Sequence, residues 1–365
     1  MRARGLLASA TVALSLIAIQ TEAQAEPMDP ALERLVRNPA CHQLPTSGGL
    51  SNVGAWNQMA GECQPDDVAF KRLVNQYGFA LAPLALHSAR TTGYGGYEIS
   101  IEGSYTSMDK DADYLVNGTR GSTDPNTNKA SIRNNSPDQF AQVYYAKMRK
   151  GFPMGLEIAG LLGYMSHTSF MIIGADVSLS LLEGFRRGVM GVLPDLSVGG
   201  GVRTITGTPQ MQLTTVGLDV KLSKPFTIAD SSVFTPYAGW QMVWIFGDSG
   251  LIDTTPSTDP NRQCGYVGPN VPGTPGTPLP NRPYDGQPVC NGGSPLDYNN
   301  TFVFDAVRLR RQRLIVGGNY RYEMVFFGVH YITDLLDSSA ANNNDRDLKG
   351  VPKQYTMAFS VGAMF

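Results

Sequence analysis

From Tyr94 to the end of the chain, apolar residues recur at every second position, a period that belongs to strands. In Tyr97-Glu98-Ile99-Ser100-Ile101-Glu102 the apolar members alternate strictly with charged or hydroxyl ones. Tyr97, Ile99, Ile101 and Tyr105 then share one face, and Glu98, Ser100, Glu102 and Ser104 the other. Similar segments follow at about 139–150, 154–166, 170–184, 194–206, 210–223, 232–247, 309–322, 324–335 and 353–365. Most exceed the soluble mean of about five to six residues and match the roughly 9–11 that cross a membrane at a tilt.

The lengths of the connections carry a second signal. If the first strand runs outward, the outer connections are roughly 109–138, 167–169, 207–209, 248–308 and 336–352. The inner ones, 151–153, 185–193, 224–231 and 323, are all short. Long segments thus fall on one side only, as in outer-membrane barrels, and a soluble sandwich has no reason to segregate loop length this way. Composition agrees. Only 16% of the 365 residues are Asp, Glu, Lys or Arg, against roughly 25% in soluble chains. Past the amino terminus no apolar run reaches the roughly 20 residues of a spanning helix. The prediction is an all-β, transmembrane antiparallel up-and-down β-barrel of about ten strands, with twelve as the alternative.

The amino terminus reads as a signal peptide over residues 1–25. Arg2 and Arg4 precede the apolar stretch Leu6 to Ile19, and Ala23-Gln24-Ala25 supplies a cleavage site. Residues 26–93 form a different unit, a small helical N-terminal segment that is either a plug or a periplasmic unit. Helical spacing occurs at Pro30 to Asn38, and again at Asp66 to Tyr77 with an aspartate cap in front and Gly78 behind. The barrel occupies 94–365.

Four cysteines lie beyond the cleavage site, and an exported chain permits disulfides. Four cysteines allow three pairings. The local one, Cys41 with Cys63 and Cys264 with Cys290, keeps each bridge within one non-barrel segment. Zinc is the rival reading, weakened by the lack of a CxxC. No cofactor is implied. A formal charge of -2 without a basic run argues against a nucleic-acid partner.

The last segment places Tyr355, Met357, Phe359, Val361 and Phe365 on one face, with Phe365 as the final residue. This resembles the C-terminal strand of Gram-negative outer-membrane proteins. The resemblance implies residence in the outer membrane, a lipid environment, and recognition by the barrel-assembly machinery. The stretch from Gly151 to Trp240, with LLEGF, LPDLSV and TPYAGW, is similar to uncharacterised outer-membrane barrels related to long-chain fatty-acid channels.

Strand parity assigns Glu98, Glu102, Lys147, Arg149, Glu157, Asp176, Arg203, Asp219, Lys221, Arg311, Arg313, Arg321 and His330 to the lumen. Two functions follow. In one the barrel is a narrow passive channel for a small solute, with Arg311, Arg313 and Arg321 as a basic ladder. In the other these charges pair and fill a lumen that is narrow at about ten strands, and the barrel works through its outer loops. A rim hydrolase using His330 and Asp334, which share a face, is a third and weaker reading, and His167 lies between two serines in an outer turn.

Overall fold

The computed structural model describes residues 26–37, 64–122, 133–184, 193–229, 231–253, 264–266, 288–290, 301–335, 348 and 351–365. The expected signal peptide, Cys41 and Cys63 lie outside the described residues, as do parts of the three long connections.

Ten strands form the wall: β1 (Tyr97–Ser107), β2 (Phe140–Gly151), β3 (Leu156–Met165), β4 (Met171–Leu182), β5 (Asp195–Thr206), β6 (Met211–Ser223), β7 (Ser232–Ser249), β8 (Val307–Tyr322), β9 (Val325–Asp334) and β10 (Tyr355–Met364). Each pairs antiparallel with its neighbours in sequence, and β10 pairs with β1, so the sheet closes on itself. The fold is a ten-stranded up-and-down barrel, and closure removes the exposed edges an open sheet would present. Phe365 completes the seam, donating its N–H to the Tyr97 carbonyl at 2.7 Å and accepting from the Tyr97 N–H at 3.0 Å. A short strand, Phe226–Ala229, lies outside the ring and pairs with the start of β7.

The polarity is inside-out. Outward Ile101, Leu162, Leu218 and Val329 are all more than half exposed, whereas inward Glu98, Lys147 and Arg203 are buried. A closed sheet with an apolar exterior and a charged interior is stable only where its surroundings are apolar. Leu162 sits mid-strand between Ala146 and Ile173. Leu162→Arg is therefore expected to destabilise the membrane-inserted barrel by roughly 2–4 kcal/mol, read by urea titration in vesicles.

The interior is graded along the axis. Inward residues toward the long connections are mainly apolar: Val143, Ile172, Leu213, Val243, Ile245 and Leu309 are all buried, with the buried Arg311 and Asp334 as a charged pair among them. Those toward the short turns are charged. The apolar end encloses a helix, α1 (Asp67–Leu81). Its buried Phe70, Leu73, Val74, Tyr77 and Leu81 belong to one core with those wall residues. Asp66 caps α1 by accepting from the Ala69 N–H at 3.0 Å, as its position predicts.

Two details differ from the sequence-based expectation. The helix runs through Gly78 to Leu81, because Gly78 serves close packing rather than termination: a Cβ there would overlap the Ile245 side chain. What stops the helix is Pro83, which holds Ala82 extended at ψ 145°. Of the segment with helical spacing at Pro30 to Asn38, the described residues 30–37 hold one 3₁₀ turn, Leu32–Arg34, flanked by non-helical Ala31 and Leu35. A further short helix, α2 (Asp113–Gly118), lies in the β1–β2 connection.

In the β7–β8 connection, Cys264 and Cys290 stand directly opposite each other in a two-stranded ladder, Cys264–Tyr266 with Pro288–Cys290.

Candidate functional site

The charged half of the lumen is built from neighbouring strands whose inward positions face each other. Glu98 and Arg149 are register partners on β1 and β2. The Arg149 guanidinium forks between two carboxylates, donating to Glu98 at 2.9 Å and to Glu157 on β3 at 2.7 Å. Two residues further along β2, Lys147 lies 3.2 Å from Glu102 and 3.1 Å from Asp176. Asp176 also takes Arg203 in a bidentate pair, at 2.6 and 2.9 Å. Lys221 lies 3.7 Å from Asp219.

On β8, Arg311 pairs with Asp334 and donates to the Asn75 side chain of α1. Arg313 is fully buried and has a different role. It donates to the Phe79 carbonyl at 3.2 Å, the Pro83 carbonyl at 2.6 Å and the Gln241 side chain at 3.0 Å. The Phe79 carbonyl is one of those left unpaired at the end of α1. A wall cation thus satisfies the helix terminus and sits at the negative end of its dipole. The Phe79 ring lies 5.2 Å from the Arg311 guanidinium and 5.1 Å from that of Arg313.

The inward wall carboxylates Glu98, Glu102, Glu157, Asp176, Asp195, Asp219 and Asp334 are matched by Lys147, Arg149, Arg203, Lys221, Arg311 and Arg313 of the wall together with Arg90 of the internal chain, which lies 3.2 Å from Asp195. Arg321 shares the inward parity of β8 but is exposed at the short-turn mouth, where its guanidinium contacts Met364 Sδ at 3.5 Å. Arg311, Arg313 and Arg321 therefore do not line an open passage as a ladder.

The chain after α1 continues along the charged half. His87 lies 3.0 Å from Lys221 Nζ. Ala89 donates to Ser223 Oγ at 3.1 Å, and Thr92 donates its N–H to Glu157 at 2.9 Å. A cavity between Pro83, His87, Asp176, Ser178, Asp219 and Lys221 has room for about one water. At the apolar end, Gln76 donates to the Tyr114 hydroxyl of α2 at 2.7 Å, and burial pushes that hydroxyl up to about 12.

The candidate catalytic pair is not assembled. Buried His330 is hydrogen-bonded to the Tyr237 hydroxyl, while Asp334 is held by Arg311. His167 sits in the β3–β4 turn with φ 58° and its Nδ1 2.6 Å from Asp138. The nearby Ser169 hydroxyl donates to Asp29 instead, at 2.8 Å. Sequence reasoning missed the role of Arg313 as a cap, because that role requires knowing that α1 lies opposite β8.

An exposed apolar belt around a closed, charge-filled ring decides the class. The chain has the fold of a membrane-spanning β-barrel. No protein-family model matches it, and no curated protein matches it. Among solved structures, the attachment invasion locus protein Ail of Yersinia pestis is similar at 10% identity, over 75% of this chain and 100% of that one, with a TM-score of 0.25. The translocator domain of the autotransporter NalP from Neisseria meningitidis is similar at 9% identity, over 86% and 96%, with a TM-score of 0.26. The outer membrane protein Omp33 of Acinetobacter baumannii is similar at 7% identity, over 75% and 100%, with a TM-score of 0.24. They carry no information on what the barrel does.

Proposed function

We propose that this outer-membrane barrel is held closed by its own chain, residues 66–92, and works through the surface at its long-connection end. The observation that carries this reading is the filled lumen. Apolar side chains of α1 are buried against the wall at one end, Arg313 caps the helix at mid-height, and balanced ion pairs close around residues 83–92 at the other. An open pore needs a wetted, unobstructed path. The segregation of long connections to one side supports an orientation with that end outside the cell. The outward residues of β10, with Phe365, fit an assembly signal read during biogenesis.

A narrow passive channel for a small solute is the second reading. It is supported by the hydroxyls of Ser100, Ser197 and Thr215, which find no protein partner among the described residues and would be satisfied by water. It requires the internal segment to move.

Planar-bilayer recordings of the full chain separate the two. The closed reading expects no steady conductance at low voltage, and a steady ohmic conductance would overturn it. A surface role further expects that shortening the β7–β8 connection abolishes adhesion or ligand capture by whole cells, with solute uptake unchanged.

A further inference from the structure

We propose that the chain ahead of α1 lies on the same side of the membrane as the long connections, so that the barrel carries its own amino-terminal segment through its lumen and presents it at the cell surface. This rests on the closed reading above and adds a direction to it.

Traced backward from β1, the chain climbs the lumen once. Tyr97 starts at the short-turn mouth, bonded to Phe365. Thr92 bonds Glu157, next to the short β2–β3 turn, and Ala89 bonds Ser223 at the end of β6. Pro83 and Phe79 meet Arg313 halfway up. Val74 packs on Gly247, where an added Cβ would lie 3.3 Å from the Val74 Cβ. Phe70 stacks on Phe304, beyond the start of β8, with ring centroids 4.6 Å apart. Asp67 then accepts from the Asp305 N–H at 3.0 Å.

Residues 27–36 stay at that mouth. Met28 donates to the His167 carbonyl at 2.8 Å, and Ala31 to the Gly118 carbonyl at 2.9 Å. Leu32 donates to the Gln210 side chain at 3.1 Å, and Asp29 accepts from the Ser169 N–H at 2.6 Å. His167, Gly118 and Gln210 all belong to connections at the long-connection end. Val36 bridges to Pro65, so residues on both sides of the 38–63 stretch meet there.

The topology follows by counting. An even number of strands returns the two ends of the barrel to one side. The passage of α1 and residues 82–92 adds one more crossing. The amino-terminal segment and the carboxy-terminal strand end therefore lie on opposite faces. A plug that entered and left by one mouth would not satisfy both the Thr92–Glu157 and the Met28–His167 bonds.

The test uses single cysteines in full-length chains whose native cysteines are serine, labelled in intact cells with a membrane-impermeant maleimide. Arg37→Cys reports the amino-terminal segment, Leu251→Cys the β7–β8 connection, and Met154→Cys the short β2–β3 turn; all three positions are well exposed. Labelling at Arg37→Cys is expected to match that at Leu251→Cys, with none at Met154→Cys until the outer membrane is permeabilised. Labelling that tracks Met154→Cys instead would overturn the proposal. If Met154→Cys is labelled in intact cells and Leu251→Cys is not, the orientation in the preceding reading fails. The inference is still decided by which of the two Arg37→Cys follows. Should the cysteine-free chain not assemble, trypsin on intact cells expressing the native chain gives the same reading. Cleavage after Arg37 with the barrel retained supports the proposal, and protection of that bond until permeabilisation overturns it.

Discussion

Arg313→Ala is expected to loosen the internal segment and turn a silent barrel into a leaky one. Its side chain donates to two backbone carbonyls of that segment and to Gln241. Truncation leaves all three acceptors buried without a donor, at a cost of about 1–3 kcal/mol for each. Part of this is recovered when water enters, and water entry is itself the leak. The urea midpoint in detergent should fall by an amount worth several kcal/mol, and flickering conductance should appear in bilayers. Arg313→Lys should restore the result only partly, because an ammonium cannot reach three acceptors in the plane of a guanidinium fork. A silent and fully stable Arg313→Ala protein would show that the cap is dispensable.

Asp176→Asn carries the second large effect. Asp176 is the shared counterion of Lys147 and Arg203, two almost fully buried cations. Without its charge they face each other with Glu102 as the nearest carboxylate. Breaking a buried pair by removing one partner costs roughly 3–5 kcal/mol, whereas replacing the pair by apolar residues of similar volume is close to neutral. Asp176→Asn should therefore unfold at much lower urea, and Asp176→Leu with Arg203→Met should recover most of the loss. Asp248→Asn, on the exposed outward face, serves as the control and should change little. Equal midpoints for Asp176→Asn and Asp248→Asn would mean that the lumen network is solvated.

The wall was legible because a membrane barrel writes its register into every second residue. The segment read at about 139–150 is Phe140–Gly151, and that at 324–335 is Val325–Asp334. Inward parity assigned Glu98, Lys147, Arg149 and Arg313 to the lumen, because a charged residue between lipid-facing neighbours has only the lumen to enter, and in the structure all four are buried. Parity could not tell Arg321 from these, since height along the axis decides exposure at a rim and the alternation carries no height. The N-terminal unit was harder. The Asp66 cap and the apolar face of α1 were visible in sequence, but an amphipathic helix says only that it will be covered, not by what. Gly78 was misleading for the same reason: glycine marks both helix ends and close approaches, and only the facing Ile245 distinguishes them.

The central claim is that α1 occupies the lumen of the assembled barrel, and a cysteine pair across that contact tests it most directly. A Cβ at position 247 would lie 3.3 Å from that of Val74, close to the separation of about 3.5–4.5 Å that a disulfide spans. In a full-length chain otherwise free of cysteine, Val74→Cys with Gly247→Cys should oxidise in the cell. The assembled protein should then migrate as a cross-linked loop on a denaturing gel until reductant is added. An assembled, heat-modifiable barrel that stays uncross-linked under mild oxidation would contradict the claim.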